Sequence, residues 1–219
     1  MLQKLFAYTW NVMRNILISS NICILGMDGT GKTSVAQGLK KMMGDQAEIQ
    51  YMGSKIYITL YARKRLSKAM EREAGILRIA HLTAGLFEMW YRVIRHWPYD
   101  KRVIFDRYAW ERYLFLHGID RVIGRMLYRT LFPKPRHIFY LYCPAELSFA
   151  RKNDIHDKAK FVKKKELYDK EFLNHKHIMA INTAVNDVNA TLDLIAKVCS
   201  KVPEVNLTKK TKRKNRGLK

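Results

Sequence analysis

With 219 residues, 48% hydrophobic and 27% charged, the chain can bury a full core in one large domain without disulfides or metal, which excludes a disordered or disulfide-stapled protein. Its 41 Lys+Arg against 19 Asp+Glu give a net charge of +22, a balance that favours nucleotide phosphates, nucleic acid or an anionic lipid surface without choosing among them. Cys23, Cys143 and Cys199 are widely spaced and read as reduced thiols, and no apolar run reaches the ~18–20 residues of a membrane span. With no basic-then-apolar leader at its start, the chain is expected in the cytoplasm, and the basic tail allows a location peripheral to the membrane.

In chain order, residues 2–17 place Leu2, Leu5, Phe6, Trp10, Met13, Ile16 and Leu17 at helical spacing, predicting an amphipathic helix within 1–19. Its only charges, Lys4 and Arg14, suit packing on the domain or a partner better than lying on a membrane. "NICILG" is a short β-rich run, and a helix follows from Lys32 to Met43. "EIQYMG" predicts a second strand, and 57–95 a long helical stretch closed by Pro98. "RVIFD" (102–106) and "HIFYLYC" (137–143) are buried-type strands. Helical sequence covers 109–131, 145–152 and 162–176, and a weak strand, "IMAIN", precedes a last helix over 187–200.

Short apolar strands alternating with helices predict a three-layer α/β/α fold around a parallel sheet of about five strands. The domain spans 20–205, and 206–219 is a basic tail, "TKKTKRKNRGLK" at its end, that reads as a solvated arm or an electrostatic tether to membrane or RNA. The dense aromatics Trp90, Tyr91, Trp97, Tyr99, Tyr108, Trp110 and Tyr113 read mainly as core. The seven histidines lack metal-ligand spacing, and Lys163-Lys164-Lys165 reads as a solvated helix face, with lid electrostatics the alternative.

The chemistry concentrates in "GMDGTGKT". Gly26, Gly31, Lys32 and Thr33 satisfy G-x-x-x-x-G-K-[ST] between a strand and a helix. Glycines allow the backbone angles that turn N–H groups onto phosphate oxygens, and the helix start adds its dipole. Gly26, Asp28, Gly29, Thr30, Gly31, Lys32, Thr33 and Ser34 are thus the expected nucleotide cradle, binding ATP. Lys32 would neutralise the β- and γ-phosphates. Thr33, helped by Asp106 at the end of "RVIFD", would hold Mg²⁺. Asp106 is followed by Arg107 rather than a water-activating glutamate, and no Asn-Lys-x-Asp run occurs. A motor ATPase and a switch GTPase are therefore disfavoured, and transfer to an anionic second substrate is favoured.

"GMDGTGKT", "FDRY" and "IFYLYCPAELSFARK" together resemble the thymidylate kinase family of nucleoside monophosphate kinases, over about Ile22 to Ala196. The resemblance implies that Asp28 faces the acceptor sugar, that Arg107 of Asp106-Arg107-Tyr108 grips the acceptor phosphate, and that Arg151 opens a lid over about 151–165. Catalytic duty would then fall on Lys32, Asp28, Arg107 and Arg151. The family's Phe-Pro-Arg-like stretch has no match in "YMGSK", a clamping arginine corresponds in ambiguous register to Arg92 or Arg95, and the lid is rich in lysine. "PKPRHIFYLYCPAELSFARKND" also resembles divergent thymidylate-kinase-like proteins of bacterial surface-polysaccharide loci.

The expected activity is ATP-dependent phosphoryl transfer, with dTMP the acceptor implied by resemblance and a homodimer admitted. Two alternatives stand beside it. One is a kinase of a sugar, lipid or surface-glycan headgroup near a membrane; the other is a non-catalytic nucleotide-binding module whose basic surface holds nucleic acid or a partner.

Overall fold

The computed structural model describes residues 21–53, 86–94, 101–116, 118–152 and 157–200. The expected N-terminal helix, the basic tail, Arg95, Trp97, Tyr99 and most of the 57–95 stretch lie outside them. Five parallel strands form one sheet: β1 (Ile22–Gly26), β2 (Ala47–Tyr51), β3 (Arg102–Asp106), β4 (His137–Tyr142) and β5 (Met179–Asn182), in the order β2-β3-β1-β4-β5. Ile24 of β1 is level with Asp106 of β3, and Gly26 with Leu141 of β4. The chain leaves β1 in one direction along the sheet and returns past it to β4. Loops therefore part at the carboxyl end of β1, and a crevice opens there.

Both faces of the sheet are covered, and the period-2 alternation of each strand divides the core. Ile22, Ile24, Ile104, Phe139 and Leu141 point to one face, where α1 (Lys32–Met43) contributes Val35, Ala36 and Leu39. The last helix, α6 (Val188–Ser200), adds Leu192 and Ile195 to the same layer. A Cβ on Gly38 would stand 2.6 Å from Leu192, so this glycine lets α1 and α6 approach closely. Cys23, Leu25, Val103, Phe105, Ile138 and Tyr140 point to the other face. There they meet Met89 and Val93 of the helical residues 86–94 (α2), Tyr128 of α3 (Gly118–Leu131), and Phe161, Tyr168 and Phe172 of α5 (Lys158–Phe172). A short helix, α4 (Ala145–Ala150), leads from β4 towards α5. Burying each such apolar side chain contributes about 1.5–3 kcal/mol.

Two helices differ from the pattern read in the sequence. The 109–131 stretch is split into a 3-10 turn, Ala109–Phe115, and α3. Leu116 is extended, and Gly118 takes φ +54, a left-handed conformation that breaks the run. The helix expected at 162 starts at Lys158, where the Asp157 carboxylate caps the Lys160 N–H at 2.9 Å, and ends at Phe172. Lys163 is exposed, whereas Lys165 is paired with Asp169 and Lys164 turns towards the crevice. The lysine run is therefore a solvated face only at Lys163. Cys23 and Cys143 are buried free thiols, Tyr108, Trp110 and Tyr113 are core, and Tyr91 is exposed. Among the described residues no histidine, cysteine or carboxylate cluster could hold a metal, and no helix is long and apolar enough to cross a membrane.

Candidate active site

The loop between β1 and α1 is shaped by three left-handed or open glycines, of which two are fixed by close approaches. Gly26, φ +147, passes the Leu141 carbonyl so tightly that a Cβ would lie 2.5 Å from its oxygen. Gly29, φ +83, passes the backbone of Ser148 in α4, where a Cβ would lie 2.1 Å from the carbonyl oxygen. Ser148, fully buried, donates its hydroxyl to the Asp28 carbonyl at 2.6 Å and ties α4 to the loop. The Thr30 hydroxyl donates to the Met27 carbonyl at 2.8 Å and its N–H to the same oxygen at 3.4 Å, so Thr30 stiffens the loop. Gly31 caps α1 without any side-chain partner, and Gly31, Thr33 and Ser34 line a cavity. A helix start of that kind is suited to an anion.

Lys32 is buried and donates to the Met27 carbonyl. Burial, and then the Arg107 charge, push its ammonium down to about 8, against the opposing pull of Glu111, Asp28 and Asp106. The Thr33 hydroxyl donates to Asp106 Oδ2 at 3.1 Å. Asp106 is 4% exposed, and its second oxygen, Oδ1, is buried without a hydrogen-bond partner. A buried carboxylate oxygen left over beside a phosphate cradle fits a hydrated Mg²⁺, which needs only one or two protein oxygens besides phosphate.

Beyond Asp106 the strand ends abruptly. Arg107 has φ 70, the one non-glycine left-handed residue among those described, and its N–H is pinned to the Ile24 carbonyl at 2.9 Å. Such a conformation costs about 1–3 kcal/mol and persists only where the surroundings impose it. Its effect is to swing the guanidinium back over the loop. NH2 meets Asp28, while NH1 donates to Glu111 at 2.9 Å and approaches the Tyr168 phenol at 3.3 Å. Burial disfavours that charge, but Glu111, Tyr168 and Asp28 hold Arg107 more firmly protonated than an ordinary arginine. Burial alone would raise the Asp28 carboxyl; Arg107, Lys32, Lys164 and Lys152 outweigh it and hold the group below the usual range. Lys164 Nζ lies 3.9 Å from its other oxygen.

These side chains enclose a cavity of about 660 Å³. Lys32, Arg107, Arg112, Arg151, Lys152 and Lys164 line it, against the carboxylates of Asp28, Asp106 and Glu111, so its walls carry an excess of positive charge. A second cavity of about 320 Å³ lies across the loop, between Gly29–Gly31 and the β5–α6 connection. Arg151, exposed, lines both, and its NH2 donates to the Thr183 carbonyl at 3.3 Å. The floor of the second cavity carries the buried Thr191 hydroxyl, which has no hydrogen-bond partner.

Every residue expected in the site is therefore near the loop: Asp28, Lys32, Thr33, Asp106, Arg107 and Arg151 line the larger cavity, and Gly29, Gly31 and Ser34 line both. Arg92 is not among its lining residues. It is buried, paired with Glu88, and donates NH1 to the Tyr51 and Gly53 carbonyls at 3.3 and 3.0 Å, bracing the turn after β2. Glu111, Arg112, Tyr168 and Ser148 are residues of this region that the sequence pattern does not single out, and Lys164 follows the alternative reading of the lysine run. Only Glu111 left a local signal, an acid four residues after Arg107 in a helix-like run.

A parallel sheet with a phosphate loop after its central strand, and a strained Asp-Arg pair after the neighbouring strand, defines a P-loop phosphotransferase fold. The chain belongs to the thymidylate kinase family, whose model matches residues 24–199, and family membership makes it a P-loop phosphotransferase of nucleotides. No curated protein matches it in sequence. Among solved structures it is similar in fold to deoxyadenosine kinase from M. mycoides. With bound dATP that enzyme gives a TM-score of 0.59 at 15% identity, covering 82% of this chain and 99% of that one. With the products dCMP and a flexible dCDP the TM-score is 0.57 at 15% identity, over 83% and 100%. With bound dCTP it is 0.53 at 14% identity, again over 83% and 100%.

Proposed function

We propose that the protein transfers the γ-phosphoryl group of ATP to dTMP or a related nucleoside monophosphate. The observation that carries this reading is the pairing of Arg107 with Asp28 in a cationic cavity beside the phosphate loop. The mostly covered guanidinium of a residue with strained backbone holds an exchangeable carboxylate there, in a place suited to a substrate phosphate.

The donor phosphates lie on the N–H groups of Gly29 to Thr33 with Lys32 against the β- and γ-groups, and the second cavity receives the donor base. There Thr191 supplies the hydroxyl left without a partner. Thr33 and Asp106 would hold Mg²⁺, which would supply positive charge to the donor phosphates. The acceptor phosphate displaces Asp28 from the NH2 edge of Arg107, and Asp28 turns to the sugar hydroxyl. An acceptor phosphate oxygen forms the new bond to the γ-phosphorus as the bridging β–γ oxygen bond breaks, and ADP leaves. Lys32, Arg107 and Arg151, with Lys152 and Lys164 around them, neutralise the charge that spreads over the moving group. The deoxynucleotides held by the similar deoxyadenosine kinase support an acceptor of that size.

The acceptor is tested by offering labelled ATP and Mg²⁺ with each nucleoside monophosphate in turn. The expected result is label on dTMP or a close relative, recovered as the diphosphate. A second reading, transfer to a sugar, lipid or glycan headgroup, draws on the turn after β2: Arg92 braces its main chain and sends no clamp into the cavity. Slow ATP hydrolysis with no labelled nucleotide would favour that reading.

A further inference from the structure

Glu111 is the carboxylate of the larger cavity that the proposed reaction leaves without a part. It sits in the 3-10 turn after β3 and is 4% exposed. An isolated carboxylate at that depth is strongly disfavoured, yet this one is fully engaged. Oε1 accepts the backbone N–H of Gly26, at the mouth of the phosphate loop, at 3.2 Å. Oε2 accepts Arg107 NH1 at 2.9 Å and the Tyr168 hydroxyl at 3.1 Å. One side chain therefore joins the end of β1, the end of β3 and the helix α5.

Arg107 has two carboxylate partners of different character. The Asp28 side chain is 36% exposed and that of Glu111 is 5%. The first can be exchanged for an incoming anion, and the second is fixed. The guanidinium is planar, so holding its NH1 edge determines where NH2 points.

We propose that Glu111 is a positioning residue, anchoring Arg107 by its NH1 edge and the phosphate loop by the Gly26 amide so that NH2 stays aimed at the acceptor when Asp28 lets go. This rests on the phosphoryl transfer proposed above. With the NH1 edge released, the Arg107 guanidinium would turn more freely about its own bonds, so its rotation reports on Glu111 directly.

The test compares full-length Glu111→Gln and Glu111→Asp with the wild type. It reads kcat, the dissociation constants of ATP and dTMP by calorimetry, and the rotation of the Arg107 guanidinium by NMR of ¹⁵N-labelled arginine. Glu111→Gln is expected to lower kcat by about tenfold or more, with ATP affinity at pH 7 changed by less than about threefold. Its Arg107 guanidinium should rotate faster than in the wild type. Glu111→Asp keeps the charge but is one methylene shorter; it should lose kcat by about tenfold. If Glu111→Gln does not fold, Glu111→Asp decides, and wild-type kcat there overturns the proposal. A folded Glu111→Gln that loses kcat with the Arg107 rotation unchanged marks a packing strut and overturns it too. Should the wild type phosphorylate no nucleoside monophosphate, the proposed reaction fails, and the Arg107 rotation alone decides the part of Glu111.

Discussion

The two halves of the candidate site are built in different ways. The donor half is a run of backbone: N–H groups from Gly29 to Thr33, a helix start, and glycines whose conformations are set by the Leu141 and Ser148 carbonyls. The acceptor half is made of side chains drawn from four places, with Asp28, Arg107, Glu111, and Lys164 and Tyr168 of α5 meeting in one group of ion pairs and hydrogen bonds. A backbone cradle is preorganised by the fold and admits any nucleotide phosphate. A side-chain network is preorganised only as long as each charge has its partner, and so it can be retuned to another acceptor while the donor half stays the same.

The comparison is broken most severely at the buried cation of the donor half. Lys32→Ala should lower transfer by about a thousandfold, because the developing charge loses its buried cation. A rate assay that found transfer undiminished would remove the phosphate loop from the account.

A smaller effect tests whether the donor half is truly held by backbone. Gly29→Ala forces a Cβ against the Ser148 carbonyl at φ +83. The left-handed conformation alone costs about 1–2 kcal/mol, and the contact adds to it. Thermal unfolding should show Tm lowered by about 4–8 °C with nucleotide affinity weakened in parallel. A stable variant that still bound ATP well would show that α4 does not set the loop.

The mildest probe is pH. Lys32 titrates at about 8 in the free site, well below an ordinary lysine. Below that pH it is already charged and ATP binds without taking up a proton; above it, binding must recruit one. Apparent ATP affinity should therefore fall by up to about tenfold per pH unit above pH 8, while a Lys32→Met variant shows no such limb. Calorimetry in buffers of different ionisation enthalpy reads the proton uptake directly.

What is legible in the sequence follows the same division. The phosphate loop is contiguous, and its residues are dictated by local geometry, so Gly26 through Ser34 can be placed from the residue pattern alone. Asp106-Arg107 is legible because both sit at the end of one apolar strand. The inner strands β1, β3 and β4 are equally plain, since strands buried on both faces leave unbroken apolar runs, whereas the edge strands β2 and β5 are half-exposed and weaker in sequence. Glu111 leaves only its spacing from Arg107, and Tyr168 and Lys164 reach the site across 57 and 136 positions of sequence, as in the pairs Glu111–Tyr168 and Asp28–Lys164. The left-handed turn at Arg107 leaves no trace either, since nothing about an arginine announces a positive φ. The helical pattern over 109–131 hides the break at Gly118, because a single glycine inside an amphipathic run is compatible with either reading.

The division between a general donor half and a side-chain acceptor half is tested most directly by calorimetric titration of wild type and Arg107→Ala with ATP–Mg²⁺ and with dTMP. Arg107→Ala should bind ATP within about threefold of wild type and dTMP about 10–100-fold more weakly, the loss expected for charge-assisted hydrogen bonds to a phosphate. Equal losses for both ligands, or dTMP affinity left intact, would contradict it.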